Sequence, residues 1–127
     1  MKDIFLNNLQ LKRFTERDIK DYCILNNLDI NTVKYINLGD NELIDISEIK
    51  LFKNTEYLYL YNNKIKDISV IQYLKILIYL DISGLELESD QIEYINDSKI
   101  INLLCSKGFK NKTDIYKIKR TINLYFE

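Results

Sequence analysis

The side chains best suited to chemistry are arranged in a way that argues against catalysis. The chain contains no His, which removes the commonest general base near neutral pH and the usual partner of a Ser or Cys nucleophile. Cys23 and Cys105 lie in opposite terminal regions. They have no ligand-like spacing and no neighbour that would favour a thiolate, so a Cys/His zinc site is excluded. Two thiols in a reducing compartment are the simplest reading, and a long-range disulfide is the alternative. Three glycines build no phosphate-binding loop. Asp45 and Asp67 stand 22 residues apart, which suits a repeated turn better than a carboxylate pair. The expectation is a non-enzyme with no catalytic residue, metal or cofactor.

Tyrosine is the residue whose placement carries information. Tyr35, Tyr57 and Tyr79 follow one another at intervals of 22 residues, and Tyr59 and Tyr61 alternate with Tyr57. On a strand, alternate residues share a face. The outward rows are then Tyr35, Tyr57, Tyr79; Asn37, Tyr59, Asp81; and Gly39, Tyr61, Ser83. Strands about 4.8 Å apart would make the first row a continuous ladder. Tyrosine offers a large contact area with few rotors and a polar tip, the combination favoured at binding hot spots. The plainer alternative is that such rings only stabilise the sheet, by ~0.2–1 kcal/mol per cross-strand pair. A lone row fits that alternative, but Tyr59 and Tyr61 beside it do not. The predicted partner-binding residues are Tyr35, Asn37, Tyr57, Tyr59, Tyr61, Tyr79 and Asp81, with Lys34, Glu56, Asp40, Asn62 and Asp81 forming a polar rim.

A repeat must position these rings. One unit starts Val33-Lys-Tyr-Ile-Asn-Leu-Gly-Asp-Asn-Glu-Leu-Ile-Asp-Ile-Ser, and the next starts Thr55-Glu-Tyr-Leu-Tyr-Leu-Tyr-Asn-Asn-Lys-Ile-Lys-Asp-Ile-Ser. A third starts Leu77-Ile-Tyr-Leu-Asp-Ile-Ser-Gly-Leu-Glu-Leu. The shared frame is L-x-x-L-x-L-x-x-N-x-L/I-x-D-I-S. Ile36 and Leu38, Leu58 and Leu60, and Leu80 and Ile82 alternate inward. Asn41 and Asn63 follow at the turn, where an amide can satisfy the backbone of a tight bend. No unit can bury its apolar side alone, so neighbours must stack.

This frame resembles the leucine-rich-repeat family, specifically its 22-residue internalin-like class, and the Asp45–Ser47 and Asp67–Ser69 steps strengthen the match. The resemblance covers residues 33–88. It implies an α/β fold: a short leucine-rich-repeat solenoid of about three repeats, with parallel strands on a concave face. It also implies a protein partner held on that face. Thr55 departs from the frame, and Leu85 stands where the turn asparagine should be, so the solenoid is expected to end there.

Exposed ends of such a stack require covers, and helical caps at both ends are expected. The division is 1–32 as N-terminal cap, 33–88 as repeats and 89–127 as C-terminal cap, one structural domain overall. Thr15 with Asp18 makes a capping box, Phe14 and Ile19 a hydrophobic staple, and a helix should run from Glu16 to Asn26. A shorter helix around Asp3–Leu9 is a further expectation. Ser89 or Asp90 should open a helix with Ile92 and Ile95 inward, and Lys99–Ser106 should continue it to a Gly108 C-cap. Thr113-Asp114 should cap a last helix, with Ile115, Ile118, Ile122 and Tyr125 as its apolar stripe. That stripe would pack on the last repeat or, alternatively, bind a partner.

Net charge is −1, so no global field selects nucleic acid or an anionic membrane. Locally, residues 99–126 hold seven bases against the single acid Asp114. Lys107, Lys110, Lys112, Lys117, Lys119 and Arg120 are candidate contacts for phosphates or an acidic protein patch, the alternative being an ordinary solvated face. Met1-Lys2-Asp3 does not open like a secretory leader. The longest apolar run, Ile76–Leu80, is far short of the ~20 residues of a membrane span. A cytoplasmic monomer is expected. Ile, Lys and Asn supply 50 of 127 residues, which suggests an AT-rich genome such as that of a low-GC bacterium or its phage.

Three functions follow. The first is a non-catalytic protein–protein interaction module that uses the tyrosine-rich face. The second is a phage- or prophage-encoded inhibitor of a host defence enzyme, a defence nuclease for instance, as an anti-CRISPR protein would be. Small size, missing catalytic groups and apparent AT-rich origin suit it. The third is RNA or other nucleic-acid binding through the basic C-terminal segment, with tyrosines available to stack on unpaired bases.

Overall fold

The computed structural model describes residues 3–126; Met1 and Lys2, on which the leader reading partly rests, lie outside them. It is an α/β fold with a six-stranded parallel sheet whose spatial order equals chain order. The strands are β1 (Asp3–Phe5), β2 (Tyr35–Asn37), β3 (Tyr57–Tyr59), β4 (Tyr79–Asp81), β5 (Asn102–Leu104) and β6 (Asn123–Tyr125). Two α-helices, α1 (Glu16–Leu25) and α2 (Ile92–Asn96), and five 3₁₀ turns form the connections. Among the described residues no helix is long and apolar enough to cross a membrane.

Each strand turns its middle residue inward. Ile4, Ile36, Leu58, Leu80 and Leu103 are all fully buried, as period-two alternation demands. The connections return along the other side of this core, through Leu43, Ile46 and Ile49 in one coil and Ile65, Ile68 and Ile71 in the next. The expected apolar positions of the frame are therefore inside. Thr55, the departure, is also fully buried, and its Oγ1 donates to Phe52 O at 2.8 Å; a buried hydroxyl with a partner costs little.

The turns are held by side chains. Asn41 Oδ1 accepts the Leu9 and Leu11 N–H groups (3.0 and 2.9 Å), while its Nδ2 donates to Leu6 O and Leu38 O, both at 2.9 Å. Asn63 repeats the pattern one coil later, accepting from Leu43 N and donating to Leu38 O and Leu60 O. Asp45 and Asp67 each accept the N–H of a serine two residues on, both at 2.8 Å, so these acids serve turns. The Ser47 N–H and hydroxyl together hold the Asp45 carboxyl below its usual range.

The 22-residue offset also governs the surface. Lys34–Glu56 (3.1 Å), Glu42–Lys64 (3.7 Å) and Glu88–Lys110 (3.1 Å) are ion pairs between adjacent coils at that separation. At these exposures each contributes at most about 1 kcal/mol. Asn8, Asp40, Asn62, Gly84 and Lys107 all have φ between 52° and 77°. They form one column of left-handed residues, at the point where each coil leaves its strand.

That column bears on four expectations. The coil does not end at residue 88: Leu85 replaces the asparagine, yet Gly84 still makes the left-handed turn, and β5 and β6 extend the sheet. Lys99–Ser106 forms no helix, because Leu103 and Cys105 bury in strand alternation beside β4, with Ile100 buried just before the strand. Gly108 caps no helix. A Cβ there would lie 3.0 Å from Cys105 O and 3.1 Å from the Ile82 side chain, so the close approach favours glycine. The last expected helix is a 3₁₀ turn at Lys112–Lys117, capped by Asn111, followed by β6. Of its apolar stripe, Ile118 and Ile122 are buried, Ile115 is half-buried and Tyr125 is exposed.

At the other end, Asp3–Leu9 is not helical. Asp3–Phe5 pairs with β2, and hydrogen bonds from Leu6 N and Asn8 N to Asn37 O and Gly39 O continue the ladder. The chain thus enters the sheet before α1, which lies inside the long first connection. α1 itself forms as expected, with the Thr15/Asp18 capping box, buried Phe14 and Ile19, and Asn26 at its C-cap.

Candidate functional site

The outward face of β2–β4 carries the tyrosines in the expected register: Tyr35 pairs with Tyr57, Tyr57 with Tyr79, Asn37 with Tyr59, and Tyr59 with Asp81. The rings make more than a single row. Centroid distances are 6.2 Å for Tyr35–Tyr57, 5.6 Å for Tyr57–Tyr79, 5.1 Å for Tyr79–Tyr59 and 5.0 Å for Tyr59–Tyr35. Four rings therefore close a circuit, each touching two others at tilts of 32–41°. Such tilted contacts suit the ring quadrupoles and add about 0.5–1.5 kcal/mol per pair. Tyr57 is the most open, 37% exposed.

The neighbours of Tyr59 explain its position. The equivalent residues on the flanking strands are Asn37 and Asp81, and each folds back on its own turn: Asn37 Oδ1 accepts Gly39 N–H and Asp81 Oδ1 accepts Ser83 N–H, both at 2.9 Å. These short side chains leave the width of three strands to one ring, and Tyr59 spans from Tyr35 to Tyr79. Asn37 and Asp81 occupy the expected face but contribute by shaping it, and Asp81 is 6% exposed. Tyr61 lies over Gly39, where a Cβ would come within 2.1 Å of its ring. Glycine there is the seat for an aromatic side chain.

Hydroxyl interactions join Tyr59 to Tyr35 and Tyr79. Burial, and then a hydrogen bond with Tyr59, push the Tyr35 phenol up to about 12. Tyr59 is raised by burial, with Tyr79 and the Asp81 charge adding to it and its bond to Tyr35 opposing it. Because the folded-state value of Tyr35 exceeds the ordinary phenol value near 10, its contribution to stability is complete below pH 10 and lost as pH rises toward 12. In an alkaline titration followed by phenolate absorbance, Tyr35→Phe should remove a late-ionising component and raise the pH at which the chain unfolds. An unchanged late component would refute the assignment.

Sequence reasoning missed Phe5, whose ring lies 5.1 Å from Tyr35 and extends the aromatic surface onto β1. The alternation Ile4-Phe5-Leu6 was the available signal. Tyr125 on β6, whose hydroxyl donates to Asn102 Oδ1 at 3.1 Å, was missed for the same reason: its segment was expected to be helical.

The basic candidates do not assemble into one surface. Lys107, Lys110 and Lys112 border a cleft of about 520 Å³ floored by Cys105, Phe109, Ile115 and Phe126. Lys110 pairs with Glu88, Lys117 with the buried Asp114 (3.1 Å each), and Lys119 Nζ donates to Ser98 O at 3.1 Å. Arg120 lies beyond them on the way to β6. Both cysteines are free thiols; burial raises Cys23 and pushes Cys105 up to about 11. Among the described residues no group of three His, Cys, Asp or Glu could hold a metal.

Comparison with known proteins adds no family: no protein-family model matches the chain, and no curated protein matches it.

Proposed function

We propose that the chain is a leucine-rich-repeat interaction module that holds a partner protein on the concave, tyrosine-bearing face of its sheet and catalyses no reaction. The observation that carries this reading is the closed circuit of Tyr35, Tyr57, Tyr79 and Tyr59 on the open side of β2–β4. Sheet stabilisation alone accounts for rings in one row. It gives no reason to set Tyr59 across three strands and Tyr61 over Gly39, an arrangement that spends a glycine and two turn-capping side chains on a flat, ordered aromatic surface. Rings already fixed by their neighbours lose little side-chain entropy on binding.

The basic segment supports a nucleic-acid reading less well, since Lys110, Lys117 and Lys119 are engaged within the chain. The test is quantitative capture from a native lysate of the source cell with immobilised wild-type chain and with Tyr57→Ala/Tyr59→Ala/Tyr79→Ala, the retained proteins being identified and compared. A partner retained by the wild type and lost by the variant is expected. Equal retention by a folded variant would refute the reading.

A further inference from the structure

We propose that the partner segment seated on this face is basic, presenting an arginine (or, less favourably, a lysine) to the tyrosine circuit; this rests on the reading of the face as a protein-binding surface. Charge complementarity favours such a segment. The outward positions of the six strands include the carboxylates Asp3 and Asp81 but no Lys or Arg, although the chain has 18 such bases. Lys34, beside the strand starts, is paired with Glu56. Of the left-handed residues along the opposite rim, Asp40 stands beside the tyrosines, and the base Lys107 stands beyond them next to β5. Among the described residues, the outward strand positions around the aromatic circuit thus carry negative charge and no cation.

The rings add to this field. A tyrosine face is the negative side of its quadrupole and attracts a cation within about 6 Å of the centroid. Tyr57, 37% exposed, is where the circuit is most open to such a cation. A planar, weakly hydrated guanidinium stacks on such a surface while donating to a carboxylate such as Asp3, which a compact ammonium does less well. An acidic segment would meet Asp3, Asp81 and the same ring faces with like sign.

The test is a random-sequence peptide library displayed on phage and selected against the full chain, with counter-selection on Tyr57→Ala/Tyr59→Ala and, separately, on Tyr57→Ala. Enriched, tyrosine-dependent peptides should carry net positive charge with arginine over-represented. Exchanging that arginine for citrulline, a neutral side chain of the same shape, should weaken binding about tenfold, as should Asp3→Asn in the protein. Tyrosine-dependent peptides that are neutral or acidic overturn the inference and leave the interaction face standing. Peptides that ignore the tyrosines, or a selection that enriches none, overturn both.

Discussion

Replacing Tyr57, Tyr59 and Tyr79 together with alanine should weaken partner binding by a hundredfold or more while the chain stays folded. Aromatic anchors at an interface centre are each worth about 2 kcal/mol or more on truncation, and a hundredfold corresponds to about 2.7 kcal/mol. The circuit makes the loss smaller than the sum of the three single replacements, because the Tyr57–Tyr79 and Tyr59–Tyr79 contacts are each shared by two of the rings removed. Removing three rings leaves Tyr35 without any of its tyrosine neighbours. The inward residues Leu58 and Leu80 are untouched and fully buried, so folding should survive, with a loss of about 2–6 kcal/mol from the four broken ring contacts. The matching triple replacement by phenylalanine keeps the ring contacts and removes only hydroxyls. It should bind within about tenfold of wild type. If the phenylalanine and alanine variants, both folded by circular dichroism, bind equally, the rings are not the anchors.

The second large effect concerns Asn41. Its amide satisfies two N–H groups and two carbonyls from two coils at 2.9–3.0 Å, and it is 8% exposed. Asn41→Leu would strand Leu9 N, Leu11 N, Leu6 O and Leu38 O together. At about 1–3 kcal/mol for each buried group left unpaired, the expected loss is about 3–5 kcal/mol after partial rehydration. That is a large part of the stability of a small domain. Asn41→Asp, the same shape without the two donors, should lose a similar amount. Denaturant midpoints measure the total. Hydrogen exchange at the Leu9 and Leu11 amides shows where it falls, since these should become the fastest of the protected amides. A midpoint change equivalent to less than about 1 kcal/mol for Asn41→Leu would show that water replaces the amide without cost. Leu85, at the equivalent turn, is no counterexample. There Leu87 N donates directly to Gly108 O at 2.7 Å and Leu85 N to Ile82 O, so the backbone has closed on itself.

The same comparison shows what was legible in the residues. Strands β2, β3 and β4 were readable because their inward positions are all Leu or Ile and their turns at Asn41 and Asn63 match. β5 was not, because Cys105 and Gly108 replace the marker leucine and asparagine, although Ile100, Leu103 and Cys105 keep the spacing. β6 and β1 have still shorter apolar patterns, and β1 is separated from β2 by 32 residues instead of 22, the excess being occupied by α1. Local pattern cannot reveal a strand whose only requirement is a neighbour to pair with. The face of the site was legible from tyrosine spacing alone. The circuit was not, because the placement of Tyr59 depends on Asn37 and Asp81 turning away, a matter of side-chain hydrogen bonding across strands.

The column of left-handed residues has a consequence for how the chain can change in length. Asn, Asp, Asn, Gly and Lys serve in turn at Asn8, Asp40, Asn62, Gly84 and Lys107, so the bend tolerates identity as long as the geometry is kept, at about 1–2 kcal/mol for a side chain such as lysine. The joints between coils consequently share one backbone geometry, with Gly84 fitted beneath the Asn62 side chain. A tandem copy of residues 35–56 would insert in phase, lengthening the molecule by one strand while keeping a glycine beneath Tyr61 and an asparagine beside Tyr59. Growth by whole units is built into the architecture.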